Sequence, residues 1–455
     1  MKDAIKNVLG KIINYKYFEI IAIFIYKIIL DLIFLTYMKD YNIYYISDFS
    51  IYKWGISIIL MLILYKIIHS VKEDIIRFFI KIFYLLMFIP ISTVYMGRNF
   101  STFWYVILFL EIALIVFTIK LIRYLIKSKI FKKCIKKVKF NINYEFTTKL
   151  IYYIFIINTL VVLFLCVYYN GWPTLEALNF RHVYQVREQF YLPKFGNYLY
   201  TFEITFILQF LLILYLHKKK YIKLSMVIFV SIFLYLIKGE KVVLLSIILV
   251  ICSYKIFQYG KKYMERIIPV VMSIILPLTL MFGHSNMMTA VIITRLLIIP
   301  ANLKFLYFDF FSNNPKIGIV GTVLNAFLKL PNPYDQMPYQ NLIAGIYLND
   351  YNMYSNTGML VEGYARFGYI GLLIIPIIMG IVLNIINYGT KRNGDTFILG
   401  IAIFPIMFLN ESYLLSSLLF GEFLLLICTC IFFDVNKLNF LEIKKKVNTK
   451  TFESK

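Results

Sequence analysis

Acidic residues, histidine and cysteine are all scarce in this 455-residue chain, numbering 24, four and five respectively. No group of cysteines and histidines has metal-ligand spacing. Nor does a Gly-rich phosphate loop, an Asp-x-Asp pair or a Gly-x-Ser-x-Gly elbow stand where its chemistry would need it. Metal-dependent transfer from a nucleotide sugar is therefore disfavoured, and neither metal nor cofactor is expected. Cys134, Cys166, Cys252, Cys428 and Cys430 lie in or beside apolar runs or in a basic connector, so no disulfide framework is implied. The period-two alternation that a membrane barrel needs is missing. So are an internal repeat, a separate soluble domain and a small-residue cleavage site after the first apolar run, which is read as a span.

What is present is apolar. The chain is 60% hydrophobic and 18% aromatic, with a mean hydropathy of +0.75. Windows of roughly 17 to 22 apolar residues recur, each long enough to cross about 30 Å of hydrocarbon at about 1.5 Å per residue. The expectation is an all-α polytopic membrane protein, residues 1–455 forming a single membrane domain. About twelve spans are expected, near 18–37, 54–68, 78–95, 102–119, 150–169, 198–216, 221–237, 242–257, 267–283, 367–388, 396–410 and 413–433.

The net charge of +24 is distributed in alternate connectors, as the positive-inside rule requires, rather than on one face that would meet nucleic acid. The stretch 120–149 carries ten Lys or Arg against Glu145 alone and is expected in the cytoplasm. Both termini then fall on the cytoplasmic side of the cytoplasmic (inner) membrane, with lipids as partners. External elements are the loop 171–197, the hairpin tip 238–241 and a large loop, 284–358, between spans nine and ten.

Charged residues on the external elements are the candidates for chemistry. Arg187 and Arg295 are fork donors suited to bidentate phosphate binding, and Lys238 and Lys241 add point charge at a hairpin tip. Each taken alone is equally a cation snorkelling to lipid phosphate. Glu362 is read either as a carboxylate at the membrane face, available as a base, or as a residue that starts a helix. His284 is a second candidate base, or a polar cap at a span end. Lys27 and Asp31, spaced i, i+4 in the first span, should neutralise each other. Glu111 and Glu203 have no evident partner and fit a proton path only in a transporter. The series Gly358, Gly363, Gly368 and Gly371 fits close helix packing.

Several motifs follow one another along the chain: Gly171-x-Pro-x-Leu with Val183-Tyr-x-Val-Arg187, and Gly239-x-Lys241 in a hairpin. Next come Arg295-x4-Pro300 with Tyr307-x3-Phe311, then Asn356-Thr-Gly358 with Gly363-Tyr-x2-Phe-Gly368-x2-Gly371. Their order resembles that of the Wzy-type O-antigen or capsule repeat-unit polymerases. The resemblance covers about 170–385 and implies a lipid-linked oligosaccharide substrate on undecaprenyl pyrophosphate, joined at the outer membrane face. It implies that Arg187, Lys238, Lys241 and Arg295 hold the pyrophosphate, and that Glu362, with His284 second, takes the hydroxyl proton. Tyr184, Tyr307, Asn356 and Tyr364 stand inside these motifs and are the sugar-binding candidates. A chain-length regulator is a possible partner protein. The alternatives are an O-antigen ligase, a twelve-span flippase or transporter, and a membrane acyltransferase.

Overall fold

A computed structural model of the chain describes residues 17–37, 49–128, 142–178, 182–259, 261–281, 290–320, 325 and 328–438. Among them every regular element is helical. In chain order these are α1 (Phe18–Tyr37), α2 (Ile51–His69), α3 (Asp74–Gly97), α4 (Thr102–Lys127) and α5 (Tyr144–Asn170). Then come α6 (Val183–Gln189), α7 (Lys194–His217), α8 (Tyr221–Lys238), α9 (Lys241–Tyr259) and α10 (Lys261–Met281). A π-helical stretch, Ala290–Ile298, runs into α11 (Ile299–Asn313). The last are α12 (Tyr339–Leu348), α13 (Met359–Phe367), α14 (Gly371–Asn393), α15 (Asp395–Phe408), α16 (Leu414–Phe420) and α17 (Glu422–Phe432). Local signals set several starts: Ser50, Ser101 and Asn143 each accept a backbone N–H of the first turn through the side chain.

Among the described residues, eight helical segments are long and apolar enough to cross a membrane: α2, α3, α4, α5, α7, α8, α9 and the stretch Met359–Asn393 that holds α13 and α14. Three shorter apolar helices, Arg266–Thr279, α15 and α17, accompany them. The helix α1 has 20 residues but carries Glu19, Lys27 and Asp31. α3 and α7 are almost wholly enclosed, whereas α5 turns Tyr153, Ile157, Leu160 and Phe164 outward. A helix so placed in water would expose a long apolar stripe, and lipid removes that penalty.

Two of the carboxylates inside the bundle are met by donors on neighbouring helices. Lys27 pairs with Asp31, as the spacing implied, and Asp31 also accepts from Thr93 Oγ1 at 2.6 Å and Trp54 Nε1 at 3.2 Å. Glu203 accepts from Asn158 Nδ2 at 2.8 Å and Thr159 Oγ1 at 2.7 Å, fastening α7 to α5. These bonds account for a carboxylate that the sequence left without a partner.

The expected external loop 284–358 is mostly not an open loop over its described length. Residues 290–313 form one helical stretch in which Ile293, Leu297, Phe305, Phe308, Phe310 and Phe311 are buried. The charges that interrupt its apolar pattern find partners far along the chain. Lys304 donates to Asn410, and Asp309 accepts from Tyr347. A run that local hydropathy reads as polar is thereby made compatible with the core.

The glycine series makes a tight reversal. Gly368 has φ +63°, and the chain turns there so that α13 folds back on α14 with Gly363 against Gly371. A Cβ at Gly363 would lie 2.2 Å from the Gly371 carbonyl oxygen, and one at Gly358 would lie 2.2 Å from that of Leu409. Backbone cannot yield as a flexible side chain can. Gly363→Ala is therefore expected to lower the melting temperature of the detergent-purified protein. Gly55→Ala is the control, since a Cβ there meets nothing within 4 Å.

Candidate active site

Four segments converge at one end of this reversal: α11, the start of α12, the Ser355–Gly358 link and the turn Leu409–Tyr413 between α15 and α16. Their approach is fixed by hydrogen bonds to backbone carbonyls. Met359 N donates to Leu409 O at 3.1 Å, and Tyr307 Oη donates to Ser355 O at 2.5 Å. Ser355 Oγ donates to Gln340 O at 2.6 Å. Between them lies a cavity of about 250 Å3. Its wall is Tyr307, Phe408 and Tyr413, with the amides of Gln340 and Asn356, the hydroxyls of Thr357, Ser412 and Ser416, and Glu411.

Glu411 is the one charged side chain in that wall. Burial pushes its carboxyl above the usual carboxylate value, while Arg295 and Lys304 act in the opposite direction. Lys304 is buried and donates to Pro300 O at 3.1 Å and Asn410 Oδ1 at 3.3 Å. Asn410 Nδ2 in turn donates to Leu296 O at 3.0 Å, so the turn bearing Glu411 is pinned to the α11 stretch at two points. Thr357 is 1% exposed and its Oγ1 has no hydrogen-bond partner among the described residues. A buried hydroxyl on a cavity wall without a partner is a place for a ligand's polar group.

Of the sequence candidates, Tyr307 and Asn356 line the cavity. Arg295 is exposed and lies outside the wall, its positive charge opposing the effect of burial on the Glu411 carboxyl. Glu362 is placed differently from a waiting base. It is fully buried, pairs with Arg366 Nε at 2.9 Å and accepts the Leu415 N–H at the start of α16. Arg366 also donates to Gly318 O, Val320 O and Ser416 Oγ. This network joins α13 to α16 and to the backbone after α11, and each charge in it is satisfied. Tyr364 packs against Trp104 and Phe308, with Lys316 Nζ 4.2 Å from its ring centre.

The hairpin tip and the 171–197 loop do come together, in a separate cluster. Arg187 donates through Nε and Nη2 to Gly239 O at 3.2 and 2.7 Å. Lys238 pairs with Glu240 at 2.9 Å and lies 4.4 Å from the Tyr200 ring centre. Lys241 begins α9 beside them, and Tyr184 lies on α6. None of Arg187, Lys238 and Lys241 lines the cavity. His284 lies outside the described residues.

The sequence reading missed Glu411, Thr357, Gln340, Ser412 and Tyr413. A signal was available in Asn410-Glu411-Ser412, three polar residues in succession between two apolar runs, which reads simply as a tight turn. Compared with known proteins, the chain matches no family model, no curated protein and no solved structure.

Proposed function

We propose that the chain is a membrane glycosyltransferase that joins oligosaccharide units carried on a lipid pyrophosphate, and that the cavity beside Glu411 receives the acceptor sugar. The observation that carries this reading is the composition of the wall. One carboxylate stands among tyrosine, amide and hydroxyl groups, with the Thr357 hydroxyl unpartnered. Sugars present hydroxyls to hydrogen-bond and faces to stack, and this wall offers both. At about 250 Å3 the cavity falls below the range of roughly 300–1,000 Å3 that suits drug-sized ligands, which fits a single ring.

In this mechanism a hydroxyl of the acceptor unit attacks the anomeric carbon of the donor. The bond from that carbon to the pyrophosphate oxygen breaks, and the lipid pyrophosphate leaves with the electron pair. Glu411 takes the hydroxyl proton, in place of Glu362 as the sequence suggested. Arg295, on the π-helical stretch, supplies a cation for the diphosphate, and the separate Arg187–Lys238–Lys241 cluster has no part in this step. The reading includes about twelve crossings, both termini in the cytoplasm, and a cavity open to the outer face, consistent with connector charge.

Deleting the protein from the cell that makes it and sizing the surface glycan on a gel tests the proposal. The expected outcome is collapse of the long-chain ladder to single units. Polymer retained on its carrier lipid would instead assign a ligase, and an unchanged ladder would overturn the reading.

A further inference from the structure

The hydroxyl groups on the cavity wall divide into two sets by what their hydrogens already do. Tyr307 Oη donates to Ser355 O at 2.5 Å, and Ser412 Oγ donates to Phe408 O at 3.1 Å. Both are therefore left to the cavity as acceptors, and so is Glu411 when ionised. The other three hydroxyls keep an uncommitted hydrogen. Thr357 Oγ1 and Tyr413 Oη are enclosed and have no hydrogen-bond partner among the described residues. Ser416 Oγ accepts from Arg366 Nη2 at 3.3 Å and donates to none of the described residues. Two enclosed hydroxyls without partners on one wall are rare unless a ligand completes them. The segments that bear them touch: Met359 N donates to Leu409 O at 3.1 Å, and a Cβ at Gly358 would lie 2.4 Å from Asn410 O.

We infer that the cavity is built for a sugar bearing an acetamido group, whose carbonyl oxygen accepts from the Thr357 and Tyr413 hydroxyls. This deepens the reading of the cavity as a sugar site and rests on it. A carbonyl oxygen has two lone pairs and no hydrogen, so it answers two donors better than a sugar hydroxyl, which brings a hydrogen of its own. The acetamido N–H finds an acceptor in Ser412 or Tyr307, and the methyl group finds an apolar surface in the Phe408 ring. Ser416 then has its hydrogen for a neighbouring sugar oxygen. A sugar carboxylate would present the same kind of oxygen, but the charge on this wall opposes it. Glu411 is the one charged side chain there. Arg366 does stand behind the wall, its Cζ 5.3 Å from the Tyr413 ring centre, but its charge is matched by Glu362 at 2.9 Å. A neutral acceptor therefore fits where an anion would meet an uncompensated carboxylate.

Saturation-transfer NMR on the full-length protein in lipid nanodiscs reads this directly, with free monosaccharides as probes. N-acetylglucosamine and N-acetylgalactosamine are compared with glucose, galactose and glucuronate. At least one acetamido sugar should bind about 10-fold more tightly than its parent hexose, with the strongest transfer to its acetyl methyl. Thr357→Val and Tyr413→Phe each remove one hydroxyl and keep the bulk of the side chain. Each should weaken that sugar by about 3- to 10-fold and leave the parent hexose unchanged. Neither should lower the melting temperature, because neither hydroxyl has an internal partner to lose. The inference is overturned if no acetamido sugar binds, if the parent hexose binds equally, if glucuronate is preferred, or if both variants weaken every sugar alike. Acetamido selectivity in a protein whose deletion leaves the long-chain ladder intact would end the proposed function and keep this site. Collapse of the ladder with no such selectivity would do the reverse.

Discussion

Glu411→Gln abolishes sugar transfer, lowering the rate of the purified protein by about 10²–10⁴-fold, the usual contribution of a positioned base. The substitution keeps the size and hydrogen-bonding reach of the side chain and removes only its ability to take a proton. It should leave the fold intact. Lys304 keeps its bonds to Pro300 O and Asn410, and Arg295 is exposed. The change in stability is expected to be small beside the loss of activity, because Glu411 is only half-buried and its replacement keeps the side chain's shape. The pH profile supplies a second measurement. Burial holds the Glu411 carboxyl above its ordinary value of 4.5, so the basic form is lost as pH falls through that raised value. The acid limb of the wild-type rate should lie above pH 4.5 and be absent from the residual rate of Glu411→Gln. A wild-type rate that holds level down to the ordinary carboxylate range would remove Glu411 from the role.

Much of this arrangement was legible in the sequence where the information is local. The apolar runs at 102–119, 150–169 and 221–237 appear as the helices Thr102–Lys127, Tyr144–Asn170 and Tyr221–Lys238, because uninterrupted hydropathy over that length leaves few alternatives. The stretch Ala290–Asn313 was not legible as a buried helix. Arg295, Lys304 and Asp309 interrupt its pattern, and hydrogen-bond partners of Lys304 and Asp309 lie at Asn410 and Tyr347. No window of ordinary width contains both ends of such a pair. The same limit applies to the site. Tyr307 and Asn356 could be proposed because tyrosine and asparagine suit sugars, whereas Glu411 sat in a three-residue polar turn that a tight hairpin explains equally well. The glycine series advertised close packing, but which backbone each glycine meets depends on the reversal at Gly368, a feature of the fold rather than of spacing.

Glu362→Gln should unfold or badly destabilise the protein, by about 3–5 kcal/mol, the range measured when one partner of a buried ion pair is removed. Gln at this position still accepts the Leu415 N–H, so the loss isolates the charge. Arg366 is 3% exposed and would hold an unmatched guanidinium among Gly318 O, Val320 O and Ser416 Oγ. Detergent-purified protein should show a much lower melting temperature and poor dispersity, with activity falling in proportion to folded material. Replacing both partners together, as Glu362→Leu/Arg366→Met, should recover part of the loss, because no buried charge is then left alone. The two carboxylates near the site thus make opposite forecasts: Glu411→Gln gives a folded, inactive protein, and Glu362→Gln gives an unstable one that works where it folds. The reverse pattern, a stable and inactive Glu362→Gln beside an active Glu411→Gln, would return the proton-accepting role to Glu362. It would also require the α13–α16 ion pair to open during turnover, since its carboxylate is enclosed and fully bonded as the structure stands.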